Sequence, residues 1–117
     1  MSVEHSPAFA KLVTAAEGLP EIEQSTWFGT PSLKVRKKSL CRVKDPDTIV
    51  VMCPLEEKEL LMEAAPEFYF ETDHYKGWPA MLVRIHDVPL DELRITLKRA
   101  YAMQAPKSLL KQLGQSG

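Results

Sequence analysis

From Ser32 to Arg36, and again from Ser39 to Lys44, apolar and basic residues alternate. Leu33 and Val35 interleave with Lys34 and Arg36, and Cys41 and Val43 with Arg42 and Lys44. A period of two belongs to a strand with one face buried and the other in water. Charge fixes the register, because a slip of one residue would bury the cations and expose the apolar set. Leu40 is the misfit, an apolar side chain on the polar side. Lys34 to Lys44 carries six bases (Lys34, Arg36, Lys37, Lys38, Arg42, Lys44) and no acid.

The flanking residues extend this pattern to a predicted meander of four strands. Ile22 to Phe28 is strand-like, with threonine and aromatics favouring β structure. Gly29-Thr30-Pro31 turns the chain, Lys37-Lys38 is the next turn, and Asp45-Pro46-Asp47 the third. Thr48 to Met52 is more uniformly apolar, as suits a central strand. A fifth strand is predicted at 80–85, with Met81, Val83 and Ile85 on one face and Arg84 on the other.

Helices bracket these strands. Ser6-Pro7 reads as N-cap and first helical residue, and Phe9, Leu12, Val13 and Ala16 form one apolar face. Gly18 and Pro20 end that helix, expected over 7–17. A second helix is expected over 54–65, with Glu56, Glu57 and Glu59 near its positive end and Leu55, Leu61, Met62 and Ala65 toward the core. A third, over 89–103, carries Leu90, Leu93, Leu97, Ala100 and Tyr101 as its buried stripe. Residues 107–113 suggest a last turn or two. The aromatics Phe68, Tyr69, Phe70, Tyr75 and Trp78 fall in a stretch that reads as an ordered loop. The order αββββαβα gives an α+β two-layer sandwich, helices on one face of an antiparallel sheet, within one domain over 1–117. If Leu33, Val35, Cys41, Val43, Met81, Val83 and Ile85 face the helices, then Lys34, Arg36, Arg42, Lys44 and Arg84 project from an open face.

Composition narrows the class. With 117 residues, 44% hydrophobic and 26% charged, the chain is an ordinary globular one. No apolar run approaches the roughly 18 residues of a membrane span, and no signal peptide is evident, so a cytoplasmic location is expected. Cys41 and Cys53 are too few for a disulfide framework and read as packed, reduced thiols. Cys53 precedes Pro54 at a predicted helix start, a position that favours thiolate, but no histidine partner is evident. Net charge is −1, yet the charges segregate: residues 56–73 carry seven acids and one lysine. The molecule is expected to have a basic and an acidic side.

Trp27-Phe28-Gly29-Thr30-Pro31, His74-Tyr75-Lys76-Gly77-Trp78, the apolar strand that follows, and Arg99-Ala100-Tyr101 recur in this order in a known family. Over about residues 7–111 the chain resembles the MmcQ/YjbR-like family of small bacterial proteins. The resemblance implies a CyaY-like fold, akin to frataxin, and a DNA-binding label resting on a double-wing arrangement of strands and loops.

Two functions from different classes follow. In the first the chain is a DNA-binding protein without catalysis. Lys34, Arg36, Lys37, Lys38, Arg42 and Lys44 neutralise phosphates of duplex DNA, Lys76 and Arg84 extend the track, and Trp27 or Trp78 stacks on a base if exposed. The mildly acidic sequence pI of about 6.3 argues against strong non-specific affinity. In the second it is a protein–protein adaptor, or associates weakly with itself, through an acidic second helix (Glu56, Glu57, Glu59, Glu63) and the basic sheet. Iron handling by analogy with frataxin finds only Glu17, Glu21 and Glu23 in the matching region. His5, His74 and His86 lack metal-ligand spacing. No catalytic motif is present, so no enzyme activity, metal or cofactor is expected.

Overall fold

The structure is a computed structural model, and it describes residues 7–115, with side chains through 111. Ser6 and His5 lie outside the described residues. The elements run α1 Pro7–Ala15, β1 Ile22–Trp27, β2 Thr30–Val35, β3 Lys38–Asp45, β4 Thr48–Met52, α2 Leu55–Ala64, β5 Tyr69–Phe70, a 3₁₀ turn Asp73–Tyr75, β6 Ala80–Arg84, α3 Leu90–Gln104 and α4 Lys107–Gln115. The six strands form one antiparallel sheet in the order β1-β2-β3-β4-β6-β5.

The alternation does what it implied. Leu33, Cys41, Val51 and Met81 stand side by side across four strands, as do Val43, Ile49, Val83 and Tyr69. All are buried beneath α1 and α3, whose Leu12, Leu93, Leu97 and Ala100 complete the core. Leu40 ceases to be a misfit. Leu33 pairs with Cys41 while Lys34 pairs with Ser39, so Leu40 is the extra residue of a β-bulge. The bulge lets Leu40 and Cys41, adjacent in sequence, both bury completely.

Three expectations need correction. The second hairpin turn is Arg36-Lys37, not Lys37-Lys38, and Lys38 begins β3. Both turn residues have positive φ, +47° and +73°, which a two-residue hairpin needs to match the twist of its strands. The aromatic stretch is not all loop: Tyr69-Phe70 pairs with β6 as a sixth, edge strand. Leu55 does not reach the core but is 43% exposed.

The face away from the main helices is only half open. On the β4-β6-β5 half, Val50, Ala80 and Leu82 are buried beneath Met52, Phe70 and Tyr75. The cover is the segment after β5, and Lys58 of α2 holds it. Lys58 is 1% exposed, and its Nζ donates to the carbonyl oxygens of Tyr75 (2.8 Å) and Trp78 (3.0 Å). Glu71 lies 3.3 Å from the same ammonium. Removing Lys58 strips two carbonyls and a carboxylate of their partner. Lys58→Met is therefore expected to destabilise the chain by roughly 3 kcal/mol, read from urea unfolding.

Both thiols are core groups. Burial pushes Cys41 up to about 12 and Cys53 up to about 11, the nearby Glu57 adding to the latter. At the start of α2, desolvation outweighs the helix end. The native chain is expected to resist a disulfide-exchange reagent at neutral pH. The denatured chain should titrate both cysteines at once.

Candidate nucleic-acid interface

The other half of the sheet face belongs to β1, β2 and β3. Across it run Ser25, Ser32 and Arg42 in one row, with Glu23 and Lys34 on one side and Trp27 and Thr30 on the other. The turn Phe28-Gly29 joins β1 to β2 with φ of +54° and +76°. It presents the Phe28 ring to solvent, 78% exposed.

Arg42 is the centre of this surface. Its guanidinium carbon lies 5.8 Å from the Trp27 ring centroid and 5.4 Å from that of Phe28. The two rings stack on each other at 5.4 Å with 28° between their planes. Arg42 Nη2 donates to Tyr75 Oη at 2.8 Å, and Nη1 reaches Thr30 Oγ1 at 3.4 Å. Thr30 Oγ1 in turn donates to the Trp27 carbonyl at 2.9 Å. Cation–π contact and these hydrogen bonds fix a normally mobile side chain, joining the first hairpin to the segment that covers the other half.

The eight expected phosphate contacts therefore divide. Lys34 is half-buried and lies 3.7 Å from Glu23, its cross-strand neighbour. Arg36 does not project from the sheet face. From its turn it grips Glu21 in two hydrogen bonds of 2.7 and 2.8 Å. That bond holds the Glu21 carboxyl below its ordinary range and raises the guanidinium. Arg84 lies over Phe70, 4.2 Å from the ring centroid, and shares a shallow recess with Asp47, His86 and Asp87. The side chains of Lys37, Lys38, Lys44 and Lys76 are exposed and make no ion pair or hydrogen bond among the described residues. Lys37 lies in the turn of the second hairpin and Lys38 opens β3 beside it, and Lys44 is the extra residue where the β3–β4 register shifts. Lys76 follows the 3₁₀ turn, two residues before Trp78, which is 60% exposed.

Periodicity missed Phe28 and Tyr75 as partners of Arg42. The one available signal was a large aromatic ahead of glycine in a turn, where asparagine or aspartate is usual. His74 sits edge-on to Tyr75, and His86 Nε2 lies 2.8 Å from the Pro46 carbonyl and 3.3 Å from Asp47. Among the described residues no three His, Cys, Asp or Glu side chains are grouped to hold a metal ion. None of the helices there is long and apolar enough to cross a membrane.

Comparison with known proteins yields relatives without assigned roles. The YjbR family model matches residues 17–103. The uncharacterized proteins Rv2570 of Mycobacterium tuberculosis and Mb2600 of Mycobacterium bovis are each 39% identical over 54 residues, which is 46% of this chain. The match spans less than half of these relatives, 42% of each. The crystal structure of Deinococcus radiodurans protein DR2400, a DUF419 domain, resembles this chain with a TM-score of 0.66 at 20% identity. It covers 97% of this chain and 91% of that one. The α+β sandwich is thus shared with a solved structure.

Proposed function

The chain belongs to the YjbR family, and on that premise we propose that it is a cytoplasmic nucleic-acid-binding module rather than a catalyst. DNA phosphates engage its unpaired lysines. The observation that carries this reading is the set Lys37, Lys38, Lys44 and Lys76, exposed and without carboxylate partners among the described residues. They border a sheet face that carries Arg42 and the exposed Phe28 ring, and Trp78 is exposed two residues beyond Lys76. Each lysine that meets a phosphate releases counterion, so affinity falls as salt rises. Lys34 and Arg36 contribute little charge, because Glu23 and Glu21 neutralise them locally. A net charge of −1 keeps the overall field weak, and binding is confined to this face.

Fluorescence anisotropy of a labelled oligonucleotide across a salt series tests this. The double variant Lys37→Ala/Lys38→Ala is expected to weaken binding about tenfold at low salt. It should also lower the slope of log affinity against log salt by about two. Arg94→Ala, on the exposed side of α3, serves as the control and should leave the slope unchanged. No measurable binding by the unaltered chain at low salt would overturn the reading.

A further inference from the structure

Phe28 is disfavoured where it stands on two independent counts. It is the first central residue of a two-residue hairpin turn at φ +54°, a region that side chains with a Cβ resist and that Asn, Asp or Gly occupy most readily. It is also the most exposed large apolar side chain among the described residues, at 78%. Neither the turn nor the core gains from a phenylalanine there. Its surroundings are nonetheless fixed: Trp27 stacks on it, Arg42 lies against both rings, and Tyr75 and Thr30 hold the guanidinium. A ring strained into solvent and backed by an immobilised cation is prepared for a planar, electron-rich partner.

We propose that Phe28 is a stacking platform for one unpaired nucleobase, with Arg42 beside it for the base edge or its phosphate. This rests on the nucleic-acid reading above and deepens it. Within a duplex both faces of an interior base are occupied by its neighbours, whereas an unpaired base has a face to offer. The surface therefore prefers single-stranded to double-stranded nucleic acid. A base in a strand and a free nucleotide share this chemistry, and the experiment separates them.

Three probes are titrated with the full chain at low salt: a short oligoadenylate, a duplex of equal length, and adenosine monophosphate. The expected result is that the single strand binds about tenfold more tightly than the duplex. Phe28→Asn removes that advantage, leaves duplex affinity and the salt slope unchanged, and does not lower the unfolding midpoint, since asparagine suits the turn better. Adenosine monophosphate binding that equals the strand's and is lost in Phe28→Asn supports the platform while removing the strand as its occupant. Equal affinity for single strand and duplex, unaffected by Phe28→Asn, overturns the platform and leaves the lysine contacts standing. A lower unfolding midpoint in Phe28→Asn makes the ring structural and overturns the platform as well. Absence of binding by all three probes overturns both readings.

Discussion

The buried ammonium of Lys58 decides what the rest of the sheet can present. A lone buried cation is costly to desolvate, and here two main-chain carbonyls and Glu71 meet it. Those carbonyls bracket the stretch from Tyr75 to Trp78. Held there, the stretch lays Tyr75 across Val50 and Leu82 and brings the Tyr75 hydroxyl to Arg42. One interaction on α2 thus closes half of a sheet face and steadies the guanidinium on the other half. The acidic second helix contributes to the candidate site from a distance, by positioning its neighbours rather than by touching a ligand.

Local patterns and long-range partners differ in how far the sequence reveals them. The core register of Leu33, Val35, Cys41, Val43, Met81, Val83 and Ile85 was legible because alternation and burial express the same constraint. The helices were legible to within a residue or two because proline and glycine punctuate them. Tyr69-Phe70 escaped as a strand, since two residues carry no period. Lys58 escaped because a lysine among glutamates on a helix suggests a solvated face, and its partners lie seventeen and twenty residues downstream.

The candidate site follows the same division. That Lys34 and Arg42 stand on the face away from the helices was readable from alternation. That Glu23 meets Lys34, Glu21 takes Arg36 and Tyr75 takes Arg42 was not, because pairing register and loop path set these contacts. A run of six bases without an acid therefore overstated the available charge. The acids that temper it come from β1 and the residue before it, separated in sequence and adjacent in the sheet. What remains is a sparser surface in which rings matter as much as lysines.

The strand order has a consequence for how the molecule can come apart. β1 to β4 join consecutive neighbours through short turns, so this half is held by sequence-local pairing. β6 enters between β4 and β5 only after the excursion through α2, and β5 is a two-residue edge strand. Opening of the β5 edge and the segment after it exposes Val50 and Leu82 without unzipping either hairpin of the ring-bearing half. The two halves of one sheet face then belong to different cooperative units, with the Arg42–Tyr75 hydrogen bond as a seam between them.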